Sequence, residues 1–245
     1  MKNTMKTIGL IGGMSWESSK LYYELINQKV KEVLGGFHSC KSILLTVDFD
    51  EIHRLQGEGN WTALDKIMAD AAQNLEQTGA DIILICANTM HLCSEAIIKS
   101  VDIPLLHIAE ATGQAIEEKG LKKIALLGTK FTMEKDFYKN ILTNKFGIEV
   151  LIPNAAERAA IHEIIYEELV QGKFTPESRA IYQNIIHRLA SEGAEGAILG
   201  CTEIPLLIAP NDVDIPTFNT TKIHAEKAVE WALVVKPSGF PVPSL

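Results

Sequence analysis

Apolar residues recur along this chain in two alternating patterns. Short unbroken runs read as strands buried on both faces, and longer segments with one apolar stripe read as helices. Residues 8–11 form the first run and pass into a tight turn at Gly12-Gly13. Ser15 or Ser18 caps a helix that continues to about Leu34 and stops at Gly35-Gly36. A second strand over 42–47 ends in the turn Asp48-Phe49-Asp50, and a helix follows over 61–77, closed by Gly79. Residues 81–86 are almost continuously apolar and make the third strand; 94–99 continue as helix and 104–108 as a short fourth strand. The second half runs as strand 123–127, helix 132–145, strand 148–152, helices 157–171 and 176–191, then strands 196–200 and 215–218. A closing helix over 222–234 has no counterpart in the first half and is expected to pack back on it. The proline-rich tail from Lys236 to Pro243 cannot continue that helix and is expected to be loose. Strands alternating with helices predict an α/β fold with parallel sheets.

The two halves also repeat in sequence. Lys6-Thr7-Ile8-Gly9-Leu10-Ile11-Gly12 is echoed by Lys122-Lys123-Ile124-Ala125-Leu126-Leu127-Gly128. The run from Gly79 through Cys86-Ala87-Asn88-Thr89 is echoed from Gly193 through Gly200-Cys201-Thr202-Glu203, and Ile103-Pro104 by Ile215-Pro216. A shift of about 114 residues superposes them, too long and too few for a solenoid. The expectation is two copies of one α/β unit facing each other across a cleft. Residues 1–112 with 221–245 would form the first domain and 113–220 the second.

Composition narrows the class. A chain of 245 residues with 47% hydrophobic content can bury one large core or two small ones. A formal charge of −8 and the lack of any basic run argue against nucleic acid and anionic membrane surfaces as partners. No apolar run reaches membrane-spanning length and no export leader is read, so a cytoplasmic protein with four reduced cysteines is expected. The three-glycine dinucleotide spacing and a phosphate-loop Lys-Ser/Thr are both absent, and Cys86, His91 and Cys93 make a weak metal pattern. A site without metal or cofactor is the simpler inference.

Ligands of parallel sheets sit beyond the carboxyl ends of the strands. Gly12-Gly13-Met14, Ala87-Asn88-Thr89, Gly128-Thr129 and Cys201-Thr202 all fall there. A thiol between a strand's end and a helix start meets backbone amides that favour its thiolate, so Cys201 is the candidate acid/base or nucleophile. Cys40, Cys86 and Cys93 read instead as small core residues. Asn88, Thr89, Thr129, Thr132 and Thr202 are neutral donors suited to a carboxylate, and Met14 with Ser15 can offer backbone amides to it. Arg54 and Gln56, in the loop after the second strand, and Arg158 and His162 are candidates for a second anionic group. Glu203 either fixes an α-amino group, orients Cys201 or caps a helix.

The chain resembles the aspartate/glutamate racemase family, in particular its broad-specificity bacterial amino-acid racemases. The resemblance rests on residues 8–18, Val47-Asp48-Phe49, Asn88-Thr89-Met90-His91, Leu127-Gly128-Thr129 and Gly200-Cys201-Thr202-Glu203. It implies two pseudo-symmetric, doubly wound α/β domains with an active-site cleft between them, no cofactor, homodimers in many members and one small acidic amino acid as substrate. It also implies a mechanism in which two thiols flank the α-carbon, one removing a proton while the other supplies one to the opposite face.

This chain departs from that pattern. The first-half base is normally the residue before Asn-Thr, and here that residue is Ala87. Cys86 lies one residue early, and neighbouring strand residues point to opposite faces. A bound water, His91 or Cys86 is then needed as substitute. Three functions are therefore weighed: a racemase of aspartate or glutamate with Cys201 as its main acid/base, a single-cysteine decarboxylase or lyase of the same superfamily, and a weakly active amino-acid-binding protein.

Overall fold

A computed structural model describes residues 5–233 of the chain. Among them the chain divides into two compact units, the first made of residues 5–84, 95–106 and 225–233 and the second of 85–94 and 107–224. Residues 85–94 thus count with the second unit although they follow a strand of the first. The boundary read from the repeat lies near residue 112 instead. The tail from Lys236 to Pro243 lies outside the described residues.

In the first unit, β1 (Ile8–Gly12) is buried along its whole length and occupies the centre of a three-stranded sheet ordered β2-β1-β3. The chain leaves it through Gly12-Gly13. Gly13 has φ +93°, and a Cβ there would stand 2.1 Å from the Val47 carbonyl oxygen, so both the turn and the close approach require glycine. Helix α1 (Trp16–Leu34) is capped by Ser15, whose hydroxyl accepts the Ser18 N–H at 3.3 Å, and is closed by Gly35. Strand β2 (Ser42–Thr46) pairs parallel with β1, Ile8 opposite Ser42.

Here the structure corrects the sequence reading. Asp48-Phe49-Asp50 is no open turn: the Asp48 carboxylate accepts the Asp50 N–H and starts helix α2 (Phe49–Gly57), which carries both Arg54 and Gln56. Helix α3 (Trp61–Gln77) and strand β3 (Ile82–Ile85) follow as the pattern predicts, then helix α4 (Ser94–Ser100). The expected strand over 104–108 shrinks to one bridge, Ile83 to Leu105, because helix α5 (Ile108–Glu117) begins three residues later.

The second unit holds a four-stranded sheet ordered β5-β4-β6-β7, formed by β4 (Lys123–Gly128), β5 (Glu149–Leu151), β6 (Gly196–Gly200) and β7 (Thr217–Asn219). Its pairings are parallel, with Gly128 opposite Gly200. The sequence repeat reappears as topology: each sheet has a central strand flanked by the next strand on one side and the third on the other. The helix expected over 132–145 is two helices, α6 (Lys130–Glu134) and α7 (Asp136–Phe146), broken where Lys135 is extended at ψ 156°. Helices α8 (Ala155–Glu167), α9 (Pro176–Ser191) and α10 (Ile204–Leu207) complete the unit. Ile161, Ile165, Tyr182, Ile186 and Leu189 of α8 and α9 pack on Ala125, Leu127, Ala197 and Leu199. Tyr138 and Leu142 of α7, with Ile108 and Ile116 of α5, pack with Ile124, Leu126 and Ile198. Each fully buried aliphatic side chain of this kind contributes about 1.5–3 kcal/mol. Helix α11 (Thr220–Ala232) is the last among the described residues, and from Ala225 it belongs to the first unit. There the Lys6 N–H donates to the Ala232 carbonyl at 2.9 Å and the Lys6 ammonium lies over the Trp231 ring. Among the described residues no helix is long and apolar enough to cross a membrane.

Candidate active site

The carboxyl ends of β4 and β6 approach closely because both end in glycine. A Cβ on Gly128 would stand 2.8 Å from the Gly200 carbonyl oxygen, and one on Gly200 would stand 2.8 Å from that of Leu127. Thr132 packs over the pair, its Cγ2 3.4 Å from the position of a Gly200 Cβ. Around it gather the predicted threonines. Thr89 and Thr129 share a hydroxyl–hydroxyl bond of 2.8 Å, and Thr132 lies 3.2 Å from Thr129 and 3.5 Å from Thr89. Three buried hydroxyls in mutual contact can turn their protons outward together, which suits a carboxylate without burying a cation.

Asn88 is joined to the same strand end through Thr220, a residue the sequence reading did not single out. The Thr220 hydroxyl donates to the Leu199 carbonyl at 3.0 Å and so has only its lone pairs left for Asn88, whose Nδ2 donates to it at 3.1 Å. That fixes the amide orientation and leaves Asn88 Oδ1 buried with no hydrogen-bond partner. An unpaired buried acceptor costs about 1–3 kcal/mol, and a ligand N–H would satisfy it.

Cys201 follows Gly200 directly. Its thiol donates to Glu203 Oε2 at 2.9 Å, and the Thr202 hydroxyl donates to the same oxygen at 2.5 Å. Burial, then the charge of Glu203 and its hydrogen bond, push the thiol well above its ordinary range, while the backbone N–H groups of Glu203 and Thr202 act in the opposite sense. The resting sulfur is therefore a protonated, partly exposed thiol seated on two amides. The Tyr182 hydroxyl, wholly buried without a hydrogen-bond partner, and that of Tyr166 both feel the charge of this pair and are raised, chiefly by burial.

Just past β3, Cys86 is 0% exposed and its thiol is pushed up by burial, whereas Ala87 is half-buried. The substitute base proposed at His91 is not supported. Its Nε2 accepts the Ile108 N–H at 3.2 Å, so the ring proton sits on Nδ1 and is donated to the Ala87 carbonyl at 2.8 Å. Neither nitrogen keeps a lone pair for an α-proton.

His91 also packs at a tilt against two further buried imidazoles, with ring centroids 4.6 Å from His107 and 5.6 Å from His224. His107 caps α5 through Nδ1, which accepts the Ala109 N–H. Burial foremost, then His91, His224 and Lys145, hold its pKa well below the usual value. The unfolded chain, with an ordinary value near 6.5, therefore binds the proton first as pH falls. Stability is present above about pH 6.5 and is lost below it by up to about 1.4 kcal/mol per pH unit. Urea unfolding followed from pH 7.5 to 5.5 should show that loss. His107→Asn, a neutral cap, should flatten the slope; an unchanged slope would place the acid sensitivity elsewhere.

The remaining predicted residues make contacts of their own. Met14 and Gln56 are buried in the first unit, each 6% exposed, and Arg54 is exposed in an ion pair with Glu58. Arg158 Nε donates to Glu134 and its Nη1 donates to the Pro153 carbonyl, so it is committed to local structure. His162 Nδ1 accepts the Lys130 N–H, and its ring packs on Phe131 and Tyr166. Among the described residues no group of three His, Cys, Asp or Glu side chains is arranged to hold a metal ion. Thr220 was discoverable, since it too follows a strand's carboxyl end; Tyr166 and Tyr182 carry no signal beyond helical periodicity.

Comparison with known proteins adds an independent line. The Asp/Glu/Hydantoin racemase family model matches residues 11–228. The broad specificity amino-acid racemase RacX of Bacillus subtilis (strain 168) is 24% identical over 239 residues, 92% of this chain and 98% of that protein. A crystal structure described as a candidate Asp/Glu racemase from Yersinia pestis is 49% identical, with TM-score 0.88, over 94% of this chain and 100% of that one. An aspartate racemase homologue from Pyrococcus horikoshii OT3 is 37% identical, with TM-score 0.79, over 93% and 99%.

Proposed function

The chain belongs to the Asp/Glu/hydantoin racemase family, and from that premise we propose that it moves the α-proton of a small amino acid, aspartate or glutamate, with Cys201 as its acid/base and without a cofactor. The observation that carries this reading is the Cys201 thiol, partly exposed at the end of β6 and bonded to Glu203. In the proposal the α-carboxylate takes the hydroxyls of Thr89, Thr129 and Thr132, and the α-amino group donates to the unfilled Oδ1 of Asn88. Donors held on the carboxylate stabilise the enolate-like charge that grows as the α-proton leaves. The proton passes to the Cys201 sulfur as thiolate, and the same S–H can return it.

The opposite face is different. Ala87 has no proton to give, Cys86 is buried, and His91 is held by two hydrogen bonds. Water then supplies the second proton, so inversion is slower than exchange. That observation also favours a second reading, a decarboxylase or lyase in which Cys201 protonates a planar intermediate from one face only.

Proton NMR in D2O separates the readings, with each enantiomer of aspartate and glutamate supplied in turn. Exchange at the α-carbon with slower loss of optical purity is the expected result. No exchange with any of the four would overturn the acidic-amino-acid reading and shift the weight to decarboxylation.

A further inference from the structure

Asn88 stands at the capping position of a short 3-10 turn over Thr89–Cys93, yet it does not cap it. An asparagine there ordinarily takes extended backbone angles and turns Oδ1 back onto an N–H of the first turn. Asn88 instead has helical angles, φ −71° and ψ −51°, and its side chain makes no cap hydrogen bond. Its Oδ1 is left buried and unpaired, an unfavourable state that its surroundings must impose. The Nδ2 bond to Thr220 holds the amide nitrogen but not the backbone.

The backbone is held by His91. The Asn88 carbonyl accepts the His91 backbone N–H at 3.1 Å, and the Ala87 carbonyl accepts the His91 Nδ1–H at 2.8 Å. These carbonyls belong to the two peptide planes that flank the Asn88 Cα. The ring reaches the Ala87 carbonyl from four residues on, the spacing of an α-helical hydrogen bond, and so extends the helical backbone through Asn88. The ring itself is fixed from its far side. Its Nε2 accepts the Ile108 N–H at 3.2 Å, and His107 Nδ1 takes the next amide of α5, that of Ala109. Two imidazoles thus occupy first-turn donors of α5 that have no partner within the helix.

We propose that His91 is the positioning residue for recognition of the substrate α-amino group, its Nδ1–H bond to Ala87 keeping Asn88 Oδ1 open for that group. This deepens the substrate reading above and rests on it. Without the ring bond the Ala87–Asn88 peptide plane is free to turn. Asn88 then relaxes into the extended capping conformation, and Oδ1 closes on an N–H of its own turn. The ammonium of an amino acid loses its acceptor there, while its carboxylate still meets the hydroxyls of Thr89, Thr129 and Thr132. His91 therefore acts on affinity for the amino group rather than on the Cys201 thiol.

Two variants of the full chain separate the two bonds of the ring. In His91→Asn the amide nitrogen falls where Nδ1 was and keeps the bond to Ala87. In His91→Gln the amide oxygen falls where Nε2 was and keeps the bond to Ile108. Each loses one buried hydrogen bond, so a purely structural role predicts the same effect from both. Calorimetry compares aspartate with succinate and glutamate with glutarate, pairs that differ only in the α-amino group. His91→Gln should lose about tenfold of the wild-type preference for the amino acid, the size of one hydrogen bond, and His91→Asn should keep it. Equal loss in both variants, or a loss shared by amino acid and diacid, would overturn the proposal. NMR gives a readout without ligand: ring 15N correlations should place the wild-type His91 proton on Nδ1. A proton on Nε2 would overturn the proposal even if neither variant folds. A wild type that binds none of the four compounds would instead overturn the substrate reading. The Asn88 side-chain amide signals then decide for His91, moving in His91→Gln but not in His91→Asn if it holds Asn88, and staying in place in both if it does not.

Discussion

Cys201→Ser should cost about 10²- to 10⁴-fold in α-proton exchange, the range a positioned acid/base supplies. Serine keeps the size of the side chain and can still donate to Glu203, so thermal stability should change little. What is lost is acidity: an ordinary thiol titrates near 8.5 and yields a usable thiolate, whereas an alcohol does not. No other cysteine can take over. Cys86 and Cys93 are 0% exposed, and Cys40, raised to about 11 by burial, lies before β2 in the first unit. Because the threonine hydroxyls and Asn88 are untouched, calorimetric binding of the amino acid should persist while exchange disappears. Exchange retained within threefold of wild type would remove Cys201 from the chemistry.

The residues that made this site legible are those whose role is local. The end of β6 is visible because an apolar run stops at Gly200-Cys201, and Asn88-Thr89 follows β3 for the same reason. The buried strands were legible throughout, since a run of four to six apolar residues between glycines has few other uses. Helix α2 was missed although it carries a start signal, Asp48 followed three residues on by Glu51; the Asp-Phe-Asp cluster read more strongly as a turn. Helix α5 had no signal to miss, because its cap is an imidazole rather than a hydroxyl or carboxylate side chain. Long-range partners were illegible for a different reason. Nothing in the sequence says that Thr220 holds Asn88 across 132 residues, or that His91 is spent on the Ala87 carbonyl and the Ile108 amide. The contact of Cys201 with Glu203, two residues apart, was among the readings open in the sequence, and only side-chain geometry shows the hydrogen bond between them.

Ala87→Cys should convert one-sided exchange into efficient inversion. On the proposed mechanism the face opposite Cys201 has only water as donor, so α-proton exchange should outrun loss of optical rotation by tenfold or more. A thiol placed at residue 87 supplies the missing acid, and inversion should rise about 10²-fold or more, the lower end of what a positioned proton donor gives. The position can accept it. Ala87 is half-buried, so an added sulfur does not have to enlarge a closed core, whereas Cys86 one residue earlier is wholly enclosed. The Ala87 carbonyl is already fixed by the His91 Nδ1–H at 2.8 Å, which holds the backbone from which the new side chain would project. Cys86 is wholly enclosed, so Cys86→Ala should leave both rates unchanged and serves as the control. Polarimetry beside NMR exchange, run from each enantiomer, reads the ratio directly. A ratio near one in the variant would mean that the second face lacked nothing but a proton donor. A ratio unmoved by the added thiol would mean that residue 87 does not meet the α-carbon, and the one-sided protonation reading would then carry the site.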